Sequence, residues 1–456
     1  MENRKTPNKS YRIWWLSPIS LYCFYLSLVI CSYYIPEDTY ITIYRTNKYI
    51  ETKYLAYHFI CFFFFLIGYL FSKNYVKENT TGSEPYKNNG VLWEKLTYLL
   101  YTMYVITFFS YLLWIMNFIQ NNGISRILLL RNLSNMALIL EDIHKNSSHI
   151  SGLTTFTELG IVVISLSTFI IMKCDNRQIT GRVKKLAYIL VAMACVRAFL
   201  FSERLAAYEI IIPMAIVWLQ SRDIRKHKTL VFLFPILCIG FVLSIFGLLE
   251  YQRSWMKHYN MLYDSYTAFT FERIMGYYAN AINTECAFLS EIGFNMLPFR
   301  TCEWLWKIPF FSSLYAKITP TNVAAIYNSF LEEYVSTEFN NPGGLLAFVA
   351  DFGYFFPIFY IIFGAMIGRL YFGFINRHLF CEIMYPCIYL ALLELPRFFL
   401  LGQSRGLCII IGGLLIYRTI HGVLNSSTPY QTTYTGSPNP SATLSSANQH
   451  TEMAQS

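Results

Sequence analysis

The chain has 456 residues, of which 55% are hydrophobic and only 14% are charged, and its mean hydropathy is +0.37. About a quarter of the residues of a soluble globular protein are charged, so this composition excludes an ordinary soluble domain. The formal net charge is +9, but the basic residues cluster in short connections between apolar segments, which indicates orientation in a membrane rather than nucleic-acid binding.

Apolar stretches of near-bilayer length recur along the chain. A bilayer core of about 30 Å needs roughly 20 apolar residues per helix, so the pattern predicts an all-α polytopic membrane protein with about ten transmembrane helices. The expected spans are residues 14–34, 55–71, 96–119, 156–172, 185–201, 205–220, 229–249, 352–372, 379–395 and 398–418.

Lys and Arg are concentrated before the first span and in the alternate connections 73–95, 173–185 and 222–228. Short loops rich in Lys and Arg remain in the cytoplasm, so both termini are predicted to be cytoplasmic. The first apolar run is not followed by a small-x-small cleavage pattern, which favours an uncleaved first helix over a signal peptide.

The spans divide the chain into four parts. We expect helices 1–7 within residues 1–249, a large extracytoplasmic loop at 250–341, helices 8–10 within 342–420 and a disordered cytoplasmic tail at 421–456. The loop is rich in Tyr, Phe and Trp, which argues against a simple connector. The tail is rich in Ser, Thr, Pro and Asn, a composition that does not bury a core.

Several classes of site are missing from the sequence. It contains no P-loop, no GxGxxG after a strand, and no HExxH, GxSxG or DxD pattern, so we expect neither nucleotide hydrolysis nor a bound metal or other cofactor. The 11 cysteines form no CxxC pair and lie mostly in apolar segments, where cysteine acts as a small hydrophobic residue. Cys286 and Cys302 share the predicted outer loop, where a disulfide between them is one possibility.

The strongest constellation of charges lies between the fifth and sixth spans. Glu203 and Arg204 stand where the two apolar runs meet, and Arg197 precedes them. In an unbroken helix the seven-residue spacing would put both arginines on one face. A guanidinium donates two parallel hydrogen bonds to phosphate oxygens, which favours an anionic ligand. The alternative is an internal Arg197–Glu203 ion pair that closes the hairpin.

A second constellation follows the seventh span, in the stretch FERIMGYYANAINTECAF. It contains Arg273, Tyr277, Tyr278 and Asn283 at helical spacing. Aromatic rings stack on pyranose faces and amides both donate and accept hydrogen bonds, so this pattern suits sugar hydroxyls. The alternative is an amphipathic surface helix with its polar side in water.

The third constellation is at the start of the eighth span. Asp351 is predicted at its outer mouth, and Gly364 and Gly368 permit close packing of helices. The carboxylate suits a general base. Alternatively, it pairs with an arginine near the last outer loop, either Arg397 or Arg405.

In the order of these features the chain resembles the Wzy-type oligosaccharide repeat-unit polymerases, which make O-antigen or capsule. The resemblance covers roughly residues 185–375. It rests on the hairpin RxxxxSER at 197–204, GYYANAINT at 276–284, YNSFLEEY at 327–334 and ADFGYFFPIFYIIFGAMIGRLY at 350–371.

The resemblance implies a glycosyltransferase of the bacterial inner membrane that needs no metal. It would transfer a growing chain from undecaprenyl diphosphate to a sugar of a new repeat unit at the outer face. In this interpretation Arg197 and Arg204 hold the diphosphate, and Asp351 or Glu203 handles the proton. The expected substrate-binding residues are Arg273, Tyr277, Tyr278, Asn283, Arg397 and Arg405. The expected partners are membrane lipids, a flippase and a chain-length regulator.

Three other functions stay open from the sequence. A flippase for lipid-linked oligosaccharides handles the same substrates but would carry basic residues at several depths of a central cavity. A membrane sugar O-acetyltransferase has a similar number of helices and would carry an early His or Arg pair on the cytoplasmic side. A secondary transporter would show interrupted helices in two corresponding halves, and the sequence shows no internal repeat.

Overall fold

The computed structural model describes residues 13–74, 89–129, 154–200, 204–221, 228–251, 255–256, 259–261, 263–294, 297–318, 323–335 and 339–426. Within these ranges the chain is helical and contains no β-strand, apart from one isolated bridge between Gly343 and Phe398. The predicted all-α class is therefore confirmed. The predicted tail lies outside the described residues from residue 427 onward.

The helices follow one another with short connections. They are α1 (Pro18–Tyr34), α2 (Glu37–Thr42), α3 (Thr52–Lys73), α4 (Gly90–Leu129), α5 (Gly160–Lys173), α6 (Arg177–Leu200), α7 (Arg204–Ser221), α8 (Lys228–Glu250), α9 (Tyr266–Glu291), α10 (Glu303–Trp306), α11 (Pro309–Ile318), α12 (Val323–Tyr334), α13 (Ala347–Phe352), α14 (Phe356–Ile375), α15 (Leu379–Leu393) and α16 (Ser404–Ser426). A 3₁₀ turn at Thr154–Leu159 leads into α5.

Five helical segments are long and apolar enough to cross a membrane: Thr52–Lys73, Gly90–Gly123, Thr155–Lys173, Ala347–Ile375 and Ser404–Asn425. Four shorter apolar helices are Pro18–Tyr34, Leu205–Ser221, Val231–Gly240 and Leu379–Leu393. These nine segments match nine of the ten expected spans. The remaining expectation, 185–201, falls in α6, whose first half carries several Lys and Arg residues that lower its apolar character.

The closest helix pair is α3 with α14. A Cβ added to Gly364 would collide with the carbonyl of Phe65, and one added to Gly368 would collide with the Ser72 hydroxyl. The contacts advance along both helices in the same direction, so the two helices run parallel. Glycine removes the side chain that would hold the backbones apart, as at many interfaces between membrane helices.

Side-chain contacts define two ends of the helical bundle. At one end, Gln220 of α7 donates to the carbonyl of Phe374, and Arg377 pairs with Glu382 at 3.0 Å. The opposite end gathers the start of α5, the end of α6 and the starts of α7 and α16, and we call it the arginine end because Arg197 and Arg405 lie there.

The segment predicted as a large loop, residues 250–341, is itself mostly helical, with α9 to α12 inside it. Its longest helix, α9, begins with a cap in which Ser265 Oγ accepts a hydrogen bond from the amide of Ala268. The second half of α9 is almost completely buried and packs against α1. This segment therefore belongs to the core of the protein.

Candidate functional site

Two buried arginines tie four helices together at the arginine end. Arg197 Nη1 donates a hydrogen bond of 2.8 Å to Thr157 Oγ1. Arg405 Nε lies 2.5 Å from Glu209 Oε1, and its Nη1 lies 3.5 Å from Glu158 Oε1. Buried charges persist only when they are paired and hydrogen-bonded, so these contacts hold both guanidinium groups in place.

The predicted hairpin is only partly visible in this arrangement. Helix α6 ends at Leu200 and α7 begins at Arg204, so the condition of one unbroken helix is not met in the described residues. Glu203 and the side chain of Arg204 lie outside the description. The sequence did not identify Glu158 and Glu209 as partners, because they come from other parts of the chain.

Arg397 forms a second cluster in the connection between α15 and α16. Its Nη1 lies 2.8 Å from Glu394 Oε2, and its Nη2 lies 3.5 Å from Asn341 Oδ1. Its guanidinium is 6.0 Å from the centre of the Tyr277 ring. The Arg397 side chain is 27% exposed, compared with 14% for Arg405 and 4% for Arg273. Among these three arginines, Arg397 is therefore the most accessible to a ligand.

The predicted residues of α9 lie around the same cluster. The Arg273 guanidinium lies over the rings of Phe339 and Tyr277, at 4.7 and 5.9 Å, and its Nε is 3.4 Å from Glu250 Oε2. Tyr277 thus stands between two arginines.

Tyr278, the next residue along α9, connects the two arginine clusters. Burial, followed by the charge of Glu394, raises the pKa of the Tyr278 hydroxyl to about 12. This hydroxyl also interacts with Tyr208 of α7, which is next to Glu209 in the chain. The phenol therefore stays protonated at neutral pH and is able to donate a hydrogen bond.

Asn283 has a different environment from the one that sugar recognition suggested. Its side chain is 1% exposed, accepts hydrogen bonds from the amides of Tyr49 and Ile50, and donates one of 2.7 Å to the carbonyl of Asn47. The amide therefore fixes the turn between α2 and α3.

That turn forms one wall of a pocket of about 320 Å³. The pocket is lined by Ile41, Arg45, Thr46, Asn47, Tyr49, Glu333, Tyr334 and Val335. Thr46 Oγ1 donates to the carbonyl of Tyr334, which joins the two walls. Arg45 adopts a φ of 56°, a left-handed conformation that is uncommon outside glycine and often marks functional positions. Tyrosine rings, an amide and charged groups therefore share one small pocket.

Asp351 is buried and serves as an anchor for a loop. Its carboxylate accepts hydrogen bonds from the amides of Phe299, Arg300 and Thr301 and from the Thr301 hydroxyl, at 2.7 to 3.1 Å. The expected alternatives, Arg397 and Arg405, pair with other acids. Four donors leave this carboxylate little capacity to accept a proton from a substrate hydroxyl.

Cys286 and Cys302 are both free thiols, so the disulfide considered from the sequence is not formed. Cys286 is buried within α9, whereas Cys302 Sγ faces the carbonyl of Pro298. Within the described parts of the chain, no three His, Cys, Asp or Glu side chains come together as metal ligands.

In comparisons with protein-family models, with curated proteins and with solved structures, the chain gives no match. A functional assignment therefore has to come from the chemistry of the arginine end.

Proposed function

We propose that this protein is a membrane glycosyltransferase that polymerises oligosaccharide repeat units carried on a polyprenyl diphosphate, as the resemblance to Wzy-type polymerases implies. In this proposal the chain spans the bacterial inner membrane about ten times, with both termini in the cytoplasm and the arginine end at the outer face. The observation that carries the proposal is the cluster in which the accessible Arg397 meets a carboxylate, an amide and two tyrosines.

Arg397 is our candidate for binding the diphosphate. A diphosphate leaving group needs positive charge that strengthens as the bond to the sugar breaks, and a preorganised guanidinium supplies it without a metal. Arg405 and Arg197 are more deeply buried and already bonded to neighbouring helices. They keep the end of the bundle positively charged and hold its helices in register.

Glu394 is our candidate for the proton acceptor. In the reaction the acceptor hydroxyl oxygen bonds to the anomeric carbon, the bond from that carbon to the diphosphate oxygen breaks, and the hydroxyl proton moves to a base. The Glu394 carboxylate lies beside Arg397, where the two reacting groups would meet. Asp351, by contrast, is saturated by four donors.

The saccharide would lie across the pocket formed by the turn between α2 and α3. The rings of Tyr49 and Tyr334 offer stacking surfaces, and Asn47 and Arg45 offer hydrogen bonds to hydroxyl groups. The wall of this pocket continues toward the arginines, because Tyr44 contacts Phe339 and Phe339 contacts Tyr277.

The test is a size profile of surface and lipid-linked glycans in a deletion strain. Wild-type protein should restore a ladder of repeat units, whereas Arg397→Ala should leave single repeats that accumulate on their lipid carrier. The matched control is Lys53→Ala, because Lys53 is an exposed cation in a surface pair with Glu51. This variant should restore the full ladder.

Two outcomes would replace the proposal. If repeats fail to reach the outer face in the deletion strain, the protein is a flippase. If chain lengths are unchanged but acetylation of the sugars is altered, it is an acyltransferase.

A further inference from the structure

A buried pair of titratable groups lies next to the arginine end but outside the proposed site. His58 of α3 is 3% exposed and Glu285 of α9 is 0% exposed. The imidazole Nε2 lies 3.6 Å from the carboxyl Oε1, and neither atom has a hydrogen bond in the described part of the protein. The Tyr22 hydroxyl, which interacts electrostatically with Glu285, is buried without a hydrogen bond as well.

Buried polar atoms without partners are costly, and here three of them face one another. A shift of about half an ångström would bring His58 and Glu285 within normal hydrogen-bond distance, provided that one of them carries a proton. With one proton between them, the pair has no net charge in either arrangement. With no proton or with two, one buried charge stays uncompensated.

We propose that His58 and Glu285 form a buried site that binds and releases one proton, and that its occupancy controls the segment Gly343–Leu346 beside Arg397. The site adds pH regulation to the protein and does not depend on the proposed glycosyl transfer.

The groups facing Glu285 favour exchange of this proton near neutral pH. They are the phenols of Tyr22 and Tyr360, the Cys61 thiol, the His58 imidazole and the Arg300 guanidinium. Burial raises the pKa of the Glu285 carboxyl to about 8, although Arg300 and the amide of Leu346 act in the opposite direction. His58 is six residues from the start of α3, about 9 Å along the helix axis, which is a short path from the exposed Glu51 and Lys53.

Direct contacts connect this pair to the arginine end. Glu285 Oε2 accepts a hydrogen bond of 3.0 Å from the amide of Leu346. Three residues earlier, the amide of Gly343 donates to the carbonyl of Arg397 at 2.8 Å, and Arg300 Nη2 lies 2.6 Å from the Gly343 carbonyl. Gly343 has a φ of 71° and no room for a Cβ beside Glu285. A change in the charge of Glu285 therefore acts on a short segment with little freedom to move.

The first test is infrared spectroscopy of the purified full-length protein in detergent. Subtraction of the Glu285→Gln spectrum should reveal the carbonyl band of a protonated carboxylic acid that disappears as the pH rises through about 8. In His58→Gln the band should persist to higher pH, because the imidazole no longer competes for the proton. Glu332→Gln, at an exposed position, is the control and should show no such band. Absence of the band in the wild type, or an unchanged midpoint in His58→Gln, would overturn the proposal.

The second test is hydrogen exchange of the Leu346 amide. A carboxylate is a stronger acceptor than a neutral acid, so protection of this amide should increase across the same pH range after correction for the intrinsic exchange rate. Glu285→Gln should remove this increase. An equal pH response in both proteins would show that the site is not coupled to the segment. Neither test measures glycans, so their outcome is separate from that of the polymerase proposal.

Discussion

Arg405 donates a hydrogen bond of 2.5 Å from Nε to Oε1 of Glu209, a residue 196 positions earlier in the chain. The same guanidinium also lies beside Glu158, so one buried cation stands between two carboxylates. The charges at the centre of the arginine end are thus balanced by the protein itself. A substrate anion would therefore bind most readily at Arg397, where more of the guanidinium is exposed.

Replacing Arg405 with Ala should destabilise the protein strongly. The change leaves the carboxylates of Glu158 and Glu209 buried with less compensation, and breaking a buried pair in this way costs about 3–5 kcal/mol. Thermal unfolding in detergent measures the loss. Lys307→Ala is the control, because Lys307 is 71% exposed in its pair with Glu303 and such pairs contribute about 0–1 kcal/mol. An equal, small effect of both changes would contradict a structural role for Arg405.

Glu394→Gln should separate proton transfer from folding. The amide retains a hydrogen bond to Arg397 but does not accept a proton from a hydroxyl group. Loss of a general base lowers rates by about 10²–10⁴-fold, so chain extension should fall by at least about 100-fold while the amount of protein in the membrane stays normal. Extension of lipid-linked repeats by purified protein measures the rate. A near-normal rate would remove Glu394 from the mechanism.

Asp351→Asn should have the opposite signature. The carboxylate holds the amides of residues 299–301, so the neutral side chain weakens four hydrogen bonds and lowers the melting temperature. Each molecule that remains folded should extend chains at close to the normal rate. A full melting temperature together with a large loss of rate would restore Asp351 as the general base.

The sequence predicts the helices more readily than it predicts the site. Nine apolar segments appear where hydropathy put them, because a membrane helix is encoded by its own composition. The contacts of Arg405 depend on how α5, α7 and α16 are rotated about their axes, and local periodicity does not fix that rotation. Glu158 and Glu209 were therefore missed.

Asn283 and Asp351 illustrate the same difficulty from another direction. Both were recognised as polar groups that needed a partner, and both have several. Those partners are backbone groups of residues 47–50 and 299–301, in loops whose path depends on the whole fold. The type of side chain alone does not distinguish a ligand-binding group from one that anchors a loop.

Gly364→Ala should disrupt the parallel pair of α3 and α14. The added methyl group would meet the carbonyl of Phe65, which is backbone and has little freedom to move. Overpacking of this kind costs about 1–3 kcal/mol. Gly240→Ala in α8 is the matched control, because nothing lies within 4 Å of the position of its Cβ. Alanine is favoured over glycine in a helix by about 1 kcal/mol, so this control should be as stable as the wild type or slightly more stable, as thermal unfolding in detergent would show.

Stability should depend on pH through Glu285. Its carboxyl has a folded-state pKa of about 8, above the ordinary value of 4.5, so between these values the folded protein binds more protons than the unfolded chain. The free energy of unfolding should therefore decrease as the pH rises from 4.5 to 8. Melting temperatures of the wild type and Glu285→Gln across this range measure the effect, and the decrease should be smaller in the variant. Parallel curves for the two proteins would show that Glu285 is ionised in the folded state, against the buried proton inferred from its contacts.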